Sequence, residues 1–85
     1  MKGLKDILFG VSLQSVTGNT HIKISSITFD SRTVENGALF VAIKGTAHDG
    51  HTHIAGAIQK GASAILCEEI PSTLQKDITY ISCAN

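Results

Sequence analysis

Ala38-Leu39-Phe40-Val41-Ala42-Ile43 is an unbroken apolar run, and Ala64-Ile65-Leu66-Cys67 is a second one. Neither alternates polar with apolar residues. A strand reads that way when both of its faces are covered, which is the usual state of a parallel sheet. Between the two runs lies a helical segment, roughly Thr52 to Lys60, with Ile54, Ala57, Ile58 and Gly61 along one side. Gly61 closes it, as a glycine placed just past a helix does. Strand, helix and strand form a βαβ unit, whose crossover is expected to be right-handed. The fold class follows: α/β, a small mixed sheet of about four or five strands with two main helices packed on it.

Working outward, Leu4, Ile7, Leu8 and Val11 fall at i, i+3, i+4 and i+7 and predict a first helix ending near Gly10. Gly18-Asn19 mark a turn beyond it. His21-Ile22-Lys23-Ile24 alternates with period two, and so does Ile27-Thr28-Phe29, but out of phase with the first run. A one-residue phase change requires a bulge or a break, here at Ser25-Ser26. Asp30-Ser31-Arg32-Thr33 ends that segment, and Glu35-Asn36-Gly37 reads as a turn into the first apolar run. On the other side of the βαβ unit, Ile70-Pro71 breaks the chain. Ser72 to Lys76 fits one helical turn, and Thr79-Tyr80-Ile81-Ser82 reads as a last strand. The sequence stops three residues later, which reads as a domain cut from a longer chain.

Composition excludes several functions. Eighty-five residues allow one domain, 1–85. Seven basic residues balance seven acidic ones, so neither a basic nucleic-acid binder nor a polybasic membrane tether is expected. With 42% hydrophobic and 16% charged residues the chain can form a core. No apolar run approaches the ~20 residues that span a bilayer. Met1 to Asp6 does not lead into a signal peptide, so a cytoplasmic protein is expected. Cys67 and Cys83 are too few for a disulfide framework and read as free buried thiols. So short a chain has little room for both a catalytic apparatus and a substrate cleft.

Three motifs carry candidate chemistry. Gly45-Thr46-Ala47-His48-Asp49-Gly50-His51-Thr52 lies between a strand and a helix and has the outline of a P-loop. His51 stands where the phosphate-neutralising lysine belongs, so nucleotide hydrolysis is not expected. The plainer reading is a strand-to-helix turn with Asp49 near the N-cap, exposing backbone N–H groups to a carbonyl, carboxylate or phosphate. His48, His51 and His53 do not share one helical face and have no cysteine or carboxylate cluster beside them, so no metal site is expected. Asp30-Ser31-Arg32 sits at a strand end, where ligand-contacting groups collect in α/β sheets, although Asp and Ser also simply start turns. Ser31 has no neighbouring base to activate it, and no catalytic residue can be assigned.

Together these pieces form an ordered series: Phe29-Asp30-Ser31-Arg32, Gly37 to Ala42, Gly45, Asp49-Gly50-His51, Ala57 and Gly61-Ala62. The series resembles the N-terminal domain of the Mur ligases, ATP-dependent enzymes that extend the peptide stem of the peptidoglycan precursor. Leu4 to Leu8 and the D-S-R triplet are most similar to the members that add the third stem residue, diaminopimelate or lysine, to UDP-N-acetylmuramoyl-L-alanyl-D-glutamate. The members that add the terminal D-alanyl-D-alanine dipeptide share much of the pattern. A free-standing interaction module is the reading from another class.

The resemblance implies that this domain anchors the UDP moiety of the UDP-N-acetylmuramoyl-dipeptide substrate. Uridine contacts fall on Phe29 through its backbone, on Ser31, and on the loop Thr46-Ala47-His48, with Asp30, Arg32, Asp49 and Gly50 supporting the site. Some relatives carry His-Gln-Ala in that loop, so contacts through the backbone are the ones carried over. Asp30 and Arg32 are expected to pin the turn by capping or pairing. The Phe29 side chain can offer a ring face, but core packing is its expected job. The resemblance also places ATP and Mg²⁺ in a central domain and the incoming amino acid in a C-terminal one, both in the full-length chain. This segment would hold no cofactor, catalyse nothing alone, and contact neither nucleic acid nor membrane.

Overall fold

The computed structural model describes residues 2–8, 13–42, 50–72 and 74–83. In chain order the elements are β1 (Lys2–Gly3), α1 (Leu4–Leu8), β2 (Leu13–Thr17), β3 (Lys23–Ile24), β4 (Ile27–Thr28), β5 (Leu39–Ala42), α2 (Ile54–Gln59), β6 (Ala64–Cys67) and β7 (Thr79–Cys83). Short 3-10 turns occupy Ser31–Thr33 and Gly50–His53. Five strands form one mixed sheet in the order β2-β7-β6-β5-β4. The pairs β4/β5, β5/β6 and β6/β7 are parallel, and β2 runs antiparallel to β7. β5, α2 and β6 are the expected βαβ unit, and the sheet falls within the expected size.

The apolar runs are buried on both faces for a reason visible in the side-chain alternation. Phe40, Ala42, Ile65, Cys67 and Tyr80 point to one face, where they pack with Ile54 and Ala57 of α2 and with Val34. Leu39, Ala64 and Ile81 point to the other, where Leu4 and Leu8 of α1 and Ile24 cover them. α1 is described over Leu4–Leu8, and Gly10 and Val11, which the sequence pattern adds to this helix, lie outside the described residues, as does Ile43.

Three readings are corrected. β2 was not anticipated; it adds an antiparallel edge strand along β7. β1 and β3 pair as a separate two-stranded antiparallel ribbon, so the phase change at Ser25-Ser26 is where the chain leaves the ribbon and joins the sheet at β4. Among the described residues there is no helical turn between Ser72 and Lys76; Lys76-Asp77 form a turn with Asp77 at φ 67°. The left-handed backbone of Asp77 ends this segment in a turn instead.

At the end of the sheet where β5 and β6 start, the chain knots itself together. Gly37 (φ 86°) donates its N–H to the Gly61 carbonyl at 2.8 Å and accepts from Ser25 N–H at 3.0 Å. Gly61 has φ 111°, and a Cβ there would lie 2.9 Å from both Cα and Oδ1 of Asn36. Only glycine meets both demands.

Candidate functional site

β4 and β5 are parallel, with Thr28 opposite Phe40, so both strands deliver the chain to the same edge of the sheet. After β4 comes the turn Asp30 to Thr33. Asp30 holds an extended backbone (φ −111°, ψ 116°) and caps the 3-10 turn by accepting from Arg32 N–H at 2.9 Å. The Arg32 guanidinium returns to the same carboxylate, with Nε 3.0 Å from Oδ1 and Nη2 2.8 Å from Oδ2. These charge-assisted bonds, first from the side chain and then from the backbone N–H, hold the Asp30 carboxyl down at about 2. The carboxylate in turn raises the Arg32 pKa.

Two threonines complete the turn. The Thr28 hydroxyl lies 2.6 Å from that of Thr33 and accepts from Asp30 N–H at 3.0 Å, while Thr33 N–H and Oγ1 both donate to the Asp30 carbonyl at 3.0 Å. Lys60 Nζ reaches the Arg32 carbonyl at 3.4 Å from the end of α2. Thr28, Thr33 and Lys60 were not singled out in the sequence. A hydroxyl two residues before an Asp, with another three residues after it, is the signal that could have found the threonines.

Ser31 is the exception in this network. It is half-buried at the tip, and its hydroxyl makes no hydrogen bond among the described residues. Every polar side chain around it is committed to the turn, which leaves one fixed, uncommitted donor and acceptor. Phe29 beside it is not a core residue: it is 70% exposed, and Ile27 two positions earlier is 52% exposed. Ile27 lies in β4, the sheet's edge strand, and Phe29 directly follows it; among the described residues no further strand lies beyond β4. The expectation of core packing for Phe29 is therefore wrong.

After β5 the chain enters the other candidate loop. Thr46, Ala47, His48 and Asp49 lie outside the described residues, and description resumes at the backbone of Gly50. The 3-10 turn Gly50–His53 runs directly into α2, and His53, the residue before α2, makes no side-chain cap there. Among the described residues, no group of three His, Cys, Asp or Glu side chains is placed to hold a metal ion.

Residues 23–82 match the family described as "Mur ligase family, catalytic domain". The chain belongs to the Mur ligase family. Among Mur ligases, a UDP-N-acetylmuramoyl-L-alanyl-D-glutamate–2,6-diaminopimelate ligase from Bacteroides fragilis is 49% identical over 96% of this chain and 17% of that protein. One of the same name from Cytophaga hutchinsonii is 52% identical over 80% of this chain and 14% of that protein. The chain thus spans about a sixth of the length of the curated relatives it matches. Among solved Mur ligases, MurF from Acinetobacter baumannii superposes with a TM-score of 0.65 at 28% identity, covering 74% of this chain and 13% of that one. MurF from Thermotoga maritima, solved with ADP, gives 0.56 at 36% identity, covering 62% of this chain and 12% of that one.

Proposed function

We propose that this chain is the substrate-anchoring part of an ATP-dependent Mur ligase that adds diaminopimelate or lysine to UDP-N-acetylmuramoyl-L-alanyl-D-glutamate, and that it holds the UDP moiety. The observation that carries the reading is the unengaged Ser31 hydroxyl, set at the C-terminal edge of the sheet in a turn whose other polar groups are all tied down. Such a group can hydrogen-bond a ligand in exchange for water alone, without breaking a bond within the protein. Uracil presents an N–H between two carbonyls, an edge that a hydroxyl and main-chain groups can read. In this reading Ser31 donates to a ligand oxygen, the Phe29 backbone and the loop Thr46-Ala47-His48 supply the remaining contacts, and Asp30, Arg32, Asp49 and Gly50 keep the two loops in place. Anchoring the nucleotide end would orient the dipeptide's carboxylate for the chemistry in the rest of the enzyme, lowering the entropic part of the barrier. ATP and Mg²⁺ belong to the full-length ligase in this reading, and the place of work is the cytoplasm.

The likeness to solved structures that include a D-alanyl-D-alanyl ligase from Acinetobacter baumannii suggests a second reading, the equivalent part of a ligase that adds a D-alanyl-D-alanine unit. The higher identity to diaminopimelate ligases supports the first. Assaying the full-length enzyme with UDP-linked dipeptide and UDP-linked tripeptide separates the two.

The anchoring role is tested on the 85-residue chain by NMR titration with UDP. Shifts are expected at Ser31 and at residues 46–48, and Ser31→Ala should weaken binding roughly five- to tenfold, the loss of one hydrogen bond. Shifts confined to other faces, or none at millimolar UDP, would overturn the assignment.

A further inference from the structure

We propose that Asn36-Gly37 is a latent site of spontaneous succinimide formation, held shut by the fold. The sequence supplies the reactants. Asparagine is a chemically labile residue, and a following glycine has no side chain to obstruct its backbone nitrogen. In the reaction the Gly37 nitrogen, having lost its proton, bonds to Cγ of Asn36. The Cγ–Nδ2 bond breaks and the amide leaves as ammonia, carrying that proton. One water then opens the ring, leaving either aspartate or isoaspartate at position 36.

The structure blocks the first step. The nucleophile's N–H is the one that donates to the Gly61 carbonyl at 2.8 Å. Its peptide plane is fixed at both ends, because the carbonyl of the same peptide, that of Asn36, accepts from the Ser25 hydroxyl at 2.8 Å, and the next carbonyl, that of Gly37, accepts from Ser25 N–H at 3.0 Å. The Asn36 side chain lies against Gly61, where there is no room even for a methyl group. Asn36 is exposed, so water is at hand; what is missing is a free nitrogen able to turn toward Cγ. Conversion therefore requires this three-segment tie to open, and its rate follows the population of the opened state.

Neither the succinimide nor the isoaspartate product can re-form the tie. The succinimide has no N–H at Gly37, so the Gly61 carbonyl loses its donor. Isoaspartate adds a methylene to the main chain between partners spaced for an α-peptide. Each converted molecule also moves from a formal net charge of +0 to one negative charge. The site thus records, irreversibly, how often this end of the sheet has opened.

The test incubates the 85-residue chain in mildly alkaline buffer at physiological temperature and follows conversion by mass spectrometry of tryptic digests. The fragment spanning residues 33–44 contains Asn36 as its sole asparagine. Conversion in the native chain is expected to be at least roughly tenfold slower than in the same chain held in urea, or in a synthetic peptide of residues 33–44, and the native Gly37 amide should be protected from hydrogen exchange. Equal rates in native chain and peptide, or an unprotected Gly37 amide, would overturn the proposal.

Discussion

Asp30 shows what a half-buried surface residue can do when its partners are local. Its carboxyl is held at about 2 against an ordinary 3.8, with the Arg32 side chain as the largest cause and the Arg32 backbone N–H next. The folded value lies below the unfolded one, so the stabilisation is complete above the unfolded value and is lost as pH falls through the folded one. Solvent screens this pair, so the effect on global stability is small; the turn itself is the place to look. Carboxyl-detected NMR titration should put the Asp30 midpoint near 2, and Arg32→Ala should move it back toward 3.8. A midpoint unchanged by Arg32→Ala would show that the pair does not form in solution.

The two cysteines make a second case. Cys67 and Cys83 sit on adjacent strands, but the β6/β7 register sets Cys67 beside Ser82, and alternation turns Cys83 to the opposite face with Ile81. They cannot meet through the sheet. Burial pushes the Cys67 thiol up to about 11, with the nearby Cys83 adding to the rise. At neutral pH Cys67 has almost no thiolate, the reactive form. Iodoacetamide should therefore label half-buried Cys83 well before Cys67 in the native chain, and both at similar rates in urea. Faster native labelling of Cys67 would refute the burial described for it.

Among the elements, the turn after α2 depends most sharply on one residue. Gly61→Ala places a methyl group against Asn36 and forces a side chain into a left-handed backbone. Each demand is costly, and together they should lower stability by about 1–3 kcal/mol, read as a reduced urea midpoint at unchanged slope. Wild-type stability in Gly61→Ala would mean that the turn relaxes freely. Gly61 was legible in the sequence because it follows an apolar-periodic helix. β5 and β6 were legible because strands covered on both faces are apolar without interruption. β2 was not: Leu13-Gln14-Ser15-Val16-Thr17 is an edge strand whose Ser15 faces Ser82 through a hydroxyl pair at 2.7 Å, so its inward side is partly polar and gives no clean alternation. Of the candidate site, Asp30 and Arg32 could be read because their chemistry is local in sequence. The exposure of Phe29 could not, since a phenylalanine in an alternating run looks the same whether its strand lies at the edge or the centre of a sheet.

At the scale of the whole molecule, two apolar clusters share one sheet. Phe40 and Tyr80 belong to the α2 face, whereas Leu4 and Ile81 belong to the α1 face, and neighbouring residues of the same strands supply both. An 85-residue chain has about 4–13 kcal/mol of stability in total. Phe40→Ala should remove about 3–5 kcal/mol and Leu4→Ala about 2–5 kcal/mol, so either consumes a large fraction of it. Because β5, β6 and β7 form the floor of both clusters, neither face can keep its partner surface once the other is lost. Unfolding should then be a single transition. Tyr80 is the one tyrosine, there is no tryptophan, and it is buried with its hydroxyl accepting from Gln75 N–H at 2.8 Å, so its fluorescence reports the α2 face alone while far-UV circular dichroism reports the backbone throughout. In urea the two signals should coincide for the parent chain and shift together in both variants. If Leu4→Ala lowers the dichroism midpoint while the Tyr80 transition stays where it was, the α1 face melts as a separate unit and the shared sheet does not couple the two clusters.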